Sequence, residues 1–259
     1  MRFCRFCGTT EIQFRKSGKF GCVHCVSVFE YPKPNFKKLI SEKQIQTLEN
    51  FVKKNAKYLT LLSLRTRITR NLKSKLFPFY EPSDIEIKRM LVERKIDSFL
   101  YPNGSLPTET RDKNLDSTMG LYLGSEDHLR FEKILSGEEW KREMFRPHSG
   151  SQTRLFRFLF QKEIWAKLPG LGFISSCPTN LGAGRRDSVL LGVDPELAIG
   201  FFSNLKTLSE FGIEFAPSTD HRLRNIGKDR VLVVKISWKN ASVVQKRQFY
   251  KILGLLGSY

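Results

Sequence analysis

The run Gly172-Phe173-Ile174-Ser175-Ser176-Cys177-Pro178-Thr179-Asn180-Leu181-Gly182-Ala183-Gly184-Arg185-Arg186-Asp187-Ser188-Val189 sets a lone cysteine in a glycine-rich, arginine-rich turn between two strands. Gly170 and Gly172 punctuate the start of the first strand, Phe173 to Ser176, and the second runs from Ser188 to Val193. Arginine forks bind phosphate oxygens bidentately, so this turn suits a phosphorylated substrate. An isolated cysteine is in general a small buried hydrophobe. Its setting here points to chemistry instead.

Downstream, Asp194-Pro195 is predicted to cap a helix ending at Gly212, followed by a strand over 230–238 and a helix from about 242. Upstream, a helix is expected near 151–166, and a strand pair near 118–123 and 127–134. Residues 101–117 read as a loop, and Ser83-Asp84-Ile85-Glu86 opens a helix reaching about Ile96. From Leu61 to Arg70 apolar and polar residues alternate, which predicts a strand with Arg65 and Arg67 on one polar face. Phe36, Leu39, Ile40, Ile45, Leu48, Phe51 and Val52 recur at helical spacing over about 36–57. Separated strands and helices without regular β-α-β alternation favour an α+β sheet covered by helices. There is no internal repeat and no low-complexity tract.

The other four cysteines stand in two Cys-x-x-Cys knuckles, Cys4/Cys7 and Cys22/Cys25. Four thiolates at that spacing suit one tetrahedral zinc. The 14 residues between the pairs are enough for two short strands and a turn. So small a module buries little, and zinc would supply most of its folding free energy, of order 10 kcal/mol. His24 lies inside a knuckle, but four cysteines close the shell, so it is expected to be exposed. Tyr31-Pro32-Lys33-Pro34 reads as a short stiff linker.

The 259 residues carry 44 Lys and Arg against 26 Asp and Glu, a net charge of +18 that attracts phosphate-rich partners of any kind. The longest apolar runs fall far short of the roughly 18 residues of a membrane helix, and the N-terminal residues carry charged Arg2 and Arg5 without an apolar h-region. A cytoplasmic protein with no membrane partner is expected. In that reducing compartment paired knuckles read as metal sites and not as disulfides.

Three segments gather cations beside a nucleophile or carboxylate: Ser63-Leu64-Arg65-Thr66-Arg67, Glu126-Asp127-His128-Leu129-Arg130, and Cys177 to Ser188. Phosphoryl transfer needs such groups to neutralise charge on the equatorial oxygens. The three segments, in this order and with Cys-Pro-Thr-Asn-Leu-Gly at the centre of the last, resemble the phosphagen kinase family, most closely its bacterial protein-arginine kinases. The knuckles with Phe14-Arg15-Lys16-Ser17-Gly18-Lys19-Phe20-Gly21 are similar to a zinc module of the protein-arginine kinase activator.

The resemblance implies an α+β fold with an antiparallel, glutamine-synthetase-like sheet that binds ATP with Mg2+. It implies that Arg65, Arg67, Arg130 and Arg186 hold the nucleotide phosphates. Glu126 would orient or deprotonate the acceptor guanidinium, and Cys177 would sit against it as a thiolate. His128 follows the pattern, with a packing or hydrogen-bonding role expected. The family's Asn-Glu-Glu-Asp-His appears here as Gly124-Ser125-Glu126-Asp127-His128, which lacks one of two adjacent acids. In the loop over 216–229 the family's second carboxylate is not in place, and Asp220 is the candidate replacement, with Arg222 or Arg224 for a phosphate arginine.

The expected division is a Cys4 zinc module at 1–30, a linker and amphipathic helix at 31–57, and a catalytic domain at 58–259 that lacks the family's C-terminal helical region. The leading function is an ATP-dependent guanidino phosphotransferase acting on proteins with exposed arginines, with structural Zn2+ in the module. One alternative is a pseudokinase that binds nucleotide or phosphoarginine without transfer. Another is a zinc-ribbon nucleic-acid binder, prompted by Arg2, Arg5, Arg15, Lys16 and Lys19 around the knuckles. Nucleic acid is the less favoured partner, and self-association is left open.

Overall fold

The computed structural model describes residues 2–33, 38–73, 79, 84–101, 118–124, 126–136, 140, 149–217, 231–239 and 241–255. Its strands are β1 (Leu59–Arg70), β2 (Thr118–Leu123), β3 (Leu129–Ser136), β4 (Lys167–Leu168), β5 (Gly172–Phe173), β6 (Arg185–Val193), β7 (Ile213–Pro217) and β8 (Leu232–Trp238). Six of them form one sheet in the order β2-β3-β1-β6-β8-β7, with every pairing antiparallel; β4 and β5 form a separate ribbon.

Because directly paired residues in an antiparallel sheet share a face, the register sorts the side chains into two sets. Leu121, Phe131, Ile68, Val189, Val234 and Ile236 fall on one face. Helices cover that face in two clusters. Leu155, Phe158, Leu159, Ile87 and Leu91 close over the β2–β3 half. Ile45, Leu48, Val52, Phe201, Leu205, Phe249 and Ile252 close over the β6–β8 half. The opposite face carries Arg65, Arg67, Arg130, Glu132, Arg186, Ser188, Lys235 and Ser237.

Local signals set most boundaries and shorten several expected elements. The first long helix is Glu42–Lys54, opened by the Ser41 side chain, which accepts from the Gln44 N–H. The helix expected over 151–166 is Gly150–Leu159, capped reciprocally by Ser149 and Gln152. The helix after Asp194 runs as Pro195–Leu205, then tightens to a 3₁₀ turn, Lys206–Phe211, and ends at Gly212 with φ 78. Asp84–Glu93 and Val243–Ile252 complete the long helices described. β7 was not expected; its last two residues, Ala216 and Pro217, belong to the segment read as a loop and pair with Lys235 and Val234 of β8.

The zinc module departs from the expected pair of strands. Thr10 and Gln13 form a capping box, and Gly18 takes φ 66 at the C-cap, so the residues between the knuckles form a helix, Glu11–Ser17. Phe14 stacks on Phe20 and Phe29 at 5.2 and 4.8 Å. His24 is not fully exposed but half-buried, stacked on Phe6 at 3.6 Å.

This module shares a core with the larger domain. Phe14, Phe20, Val26 and Phe29 pack with Phe79, Ala166, Ile174 and Leu181. Backbone hydrogen bonds seal the contact, from Phe20 N to Ser176 O and from Phe79 N to Gly21 O, both 2.7 Å. The Ser176 carbonyl is thus taken by the module, and the strand expected over Phe173 to Ser176 is cut back to β5, Gly172–Phe173. No described helix is long and apolar enough to cross a membrane.

Candidate active site

The cationic face is assembled by register. Arg67 stands opposite Glu132 on β3 and Arg186 on β6, and Arg130 stands opposite Thr69. Arg65 and Arg67 both reach Glu132, Arg65 in the closer contact and Arg67 at 3.4 Å. Arg186 donates to Ser237 Oγ at 3.1 Å and lies 3.8 Å from Glu214.

Glu132 is only 1% exposed, so neighbouring cations and not water must balance its charge. Burial alone would raise its carboxyl, but Arg65 first, then Arg67 and Arg130, hold it below its ordinary 4.5. The cations feel the crowding in turn. Burial, then Arg130 and Arg65, pull the Arg67 guanidinium down to about 10. Lys235 is lowered by burial and then by Arg186, Arg65 and Arg67. One buried carboxylate shared by Arg65, Arg67 and Arg130, with Arg186 and Lys235 on the same face and the half-exposed Glu214 beside Arg186, leaves an excess of positive charge. Among the described residues, the buried Nε of Arg130 and Oε2 of Glu132 have no hydrogen-bond partner. A polyanion such as a nucleotide's phosphates would relieve that excess, so ATP fits this donor set.

At one end of the face, Glu126, Asp127 and His128 form the turn between β2 and β3. Asp127 Oδ1 accepts from Asn71 Nδ2 and from Ser176 N, each at 2.7 Å. Asn71 Oδ1 accepts from His128 N at 3.0 Å, and His128 Nδ1 accepts from Leu72 N at 3.0 Å. Burial nevertheless raises the Asp127 carboxyl above its ordinary range against these donors. The exposed Glu126 is therefore fixed from behind by buried Asp127 and His128, and Ser176 ties the cysteine segment to the same turn.

Cys177 is half-buried. Its Sγ lies 2.9 Å from Thr179 Oγ1, and its N–H donates to Ser175 Oγ at 3.2 Å. Two glycines make the turn geometry feasible. Gly172 has φ 78, and a Cβ there would sit 2.3 Å from Gly182 O; Gly184 has φ 57, and a Cβ would sit 2.3 Å from Arg70 Nη1. Arg70 is buried against Phe173, 3.9 Å from its ring, and donates to Leu159 O, so it is a packing arginine and stands on the covered face.

Lys19, from the zinc module, forms an ion pair with Glu126 at 2.9 Å. Asp220 and its neighbours Arg222 and Arg224 lie outside the described residues. The four knuckle cysteines converge, with all Sγ atoms within 4.8 Å of one another and separations of 3.6, 3.4 and 3.9 Å for Cys4–Cys22, Cys7–Cys25 and Cys22–Cys25. A tetrahedron with Zn–S bonds of about 2.3 Å has edges of about 3.8 Å. The donor set fits zinc.

Arg65, Arg67, Arg130 and Arg186 are brought together, and Glu126 and Cys177 are tied to one another's segments through Asp127 and Ser176. Glu132, Lys235 and Lys19 carry no sequence signal of their own. Strand alternation could have placed Glu132 and Arg130 on one face, but pairing Glu132 with Arg67 requires the register.

A helix-backed antiparallel sheet with one arginine-rich face makes up the larger domain, and a four-cysteine module packs against it. The chain belongs to the ATP:guanido phosphotransferase family, whose C-terminal catalytic domain it matches over residues 40–214. Residues 2–47 match the McsA central zinc-finger domain.

Among curated proteins, it is 27% identical over 179 residues to a protein-arginine kinase of Clostridium novyi, covering 56% of this chain and 50% of that one. It is 32% identical over 139 residues to a protein-arginine kinase of Desulforamulus reducens, covering 51% and 36%. The chain thus spans half or less of the length of these relatives. Similar solved structures are the substrate-free duplicated taurocyamine kinase from Schistosoma mansoni, with TM-score 0.43, 17% identity and coverage of 86% of this chain and 35% of that chain, and a lombricine kinase, with TM-score 0.40, 15% identity and coverage of 86% and 69%.

Proposed function

We propose that this protein is an ATP-dependent guanidino phosphotransferase that phosphorylates arginine side chains of proteins in the reducing cytoplasm. The observation that carries the reading is the clustering of four arginines on the sheet face opposite the helix clusters, three of them around the buried Glu132. Residues 58–259 form the catalytic domain, 31–57 the linker and helix, and 1–30 the zinc module.

Arg65, Arg67, Arg130 and Arg186 hold the phosphates and neutralise charge that grows on the transferring group. Glu126 accepts hydrogen bonds from the acceptor guanidinium, positions one nitrogen in line with the γ-phosphorus and takes the proton lost from that nitrogen. The N–P bond forms as the bond to the bridging oxygen breaks, and ADP leaves. Cys177, held by Ser175 and Thr179, lies beside the acceptor as a second polarising group, and Asp220 supplies a further carboxylate. Magnesium would arrive as the ATP complex and supply additional neutralisation of phosphate charge; no side chain is assigned to it. Cys4, Cys7, Cys22 and Cys25 hold structural zinc, which closes the module against the segment carrying Cys177.

The test is incubation of the zinc-loaded protein with magnesium ATP and an unfolded arginine-rich protein, read by mass spectrometry without acid. Phosphoarginine that disappears with Cys177→Ser supports the kinase. ATP binding without any phosphoarginine rejects it in favour of a nucleotide-binding regulator.

A further inference from the structure

The ion pair between Lys19 and Glu126 joins the zinc module to the acidic turn of the catalytic domain, across 107 positions of sequence. Both side chains remain about half exposed, at 45% and 48%, so the pair is solvated and readily exchanged. The backbone around it is not. Phe20, the next residue after Lys19, is 2% exposed and donates to Ser176 O, and Asp127, the next residue after Glu126, receives Ser176 N. Lys19 is thus a half-exposed cation on a well-anchored backbone, paired with one carboxylate.

Beside it, a cavity of about 640 Å³ is walled by Thr9, Gln13, Lys16, Ser17, Lys19 and Phe20, with no carboxylate among its described lining residues. An acceptor guanidinium that takes Glu126 must displace Lys19 or share the carboxylate with it. In either case the ammonium loses its anion and faces another cation. An acidic side chain beside the acceptor arginine would restore the balance, and the groove has room and charge for it.

We propose that the zinc module completes the acceptor site, with Lys19 as a specificity-determining residue that selects arginines flanked by aspartate or glutamate. This rests on the assignment of Glu126 as the acceptor carboxylate. The overall charge of +18 would favour acidic partners everywhere on the surface; among the described cations Lys19 is the one paired with the acceptor turn, so its replacement should change the ranking of flanking residues.

The experiment uses the full zinc-loaded chain with three peptides of one scaffold, in which a single arginine is flanked by Glu, Ala or Lys. Equilibrium binding is read by fluorescence anisotropy and phosphorylation by KM and kcat, for the wild type, Lys19→Ala, Lys19→Arg and Lys19→Glu. The Glu-flanked peptide should bind about tenfold tighter than the Ala-flanked one and show a similarly lower KM. Lys19→Ala should bring that ratio close to one, Lys19→Arg should keep it, and Lys19→Glu should reverse it. An unchanged ratio in Lys19→Ala, or a uniform fall in kcat with the ranking intact, overturns the proposal. No phosphorylation of any peptide overturns the kinase assignment alone, because the binding ranking still decides the role of Lys19. No peptide binding at all overturns the selectivity.

Discussion

Asp127 Oδ1 lies 2.7 Å from the Ser176 nitrogen that donates to it, and this single buried hydrogen bond clamps the turn carrying Glu126 to the segment carrying Cys177. The same oxygen receives Asn71 Nδ2, so three separate parts of the chain meet at one atom.

Replacing Asp127 with Ala strands two buried donors, each costing about 1–3 kcal/mol when unpaired. We expect a loss of about 2–4 kcal/mol in urea unfolding, together with faster alkylation of Cys177 by iodoacetamide. Unaltered alkylation at full occupancy of the native state would show that the clamp does not position the cysteine.

Among the described residues, Glu132 is the carboxylate that both Arg65 and Arg67 reach. Glu132→Gln leaves the arginines facing one another with their repulsion unrelieved, so the free protein should lose stability. Magnesium ATP or sulfate should restore more of the melting temperature in the variant than in the wild type, as binding to the native state alone demands. Arg67→Ala should instead weaken nucleotide binding by about tenfold or more, at one charge-assisted contact of about 1.5–3 kcal/mol. Equal thermal shifts in both proteins would remove Glu132 from the anion site.

Asp187 gives the pH dependence a definite sign. Burial opposes its ionisation, but Arg185 and then Lys246, with the Thr66 hydroxyl at 2.7 Å, hold its carboxyl below its ordinary 3.8. A folded value below the unfolded one means that the contribution is fully present above pH 3.8 and is lost as pH falls through the lower folded value. Asp187→Asn should therefore flatten the stability profile below that pH. At pH 7 it should cost about 3–5 kcal/mol, because Lys246 is left buried without its anion. A variant whose acid limb matches the wild type would exclude Asp187 as a source of acid sensitivity.

Chelation tests the module. Removing zinc with a strong chelator, followed by a colorimetric metal assay, should release one zinc per chain, and Cys22→Ser should retain far less. Since Phe20 and Gly21 form backbone hydrogen bonds with Ser176 and Phe79, loss of metal should also speed amide exchange in the Ile174–Cys177 segment. Protection confined to the module, with no change at Ser176, would uncouple the two.

Much was legible in the amino-acid order. The alternation through Leu61 to Arg70, the cap at Asp194, the two knuckles and the Cys177 turn all act over a few residues, where local sterics and hydrogen bonding decide. The helix between the knuckles was the exception. Thr10 and Gln13 form a capping box there, a signal that was present but overridden by the expectation of a ribbon. β7 was missed for the opposite reason, since Phe215-Ala216-Pro217 has no clear alternation and becomes a strand only because β8 offers an edge.

By itself, then, the sequence determined most of the long helices and central strands, the four-cysteine cluster and the placing of Arg65, Arg67, Arg130 and Arg186 in cation-rich segments, because each is written in residue type and short-range spacing. Tertiary structure alone decided that Glu132 neutralises Arg65 and Arg67, that Asp127 binds Ser176, and that Lys19 meets Glu126. Those contacts join residues tens to more than a hundred positions apart. Their energies depend on burial and on distances of a few ångströms, which strand register and the docking of one core against another create only when the whole chain has folded.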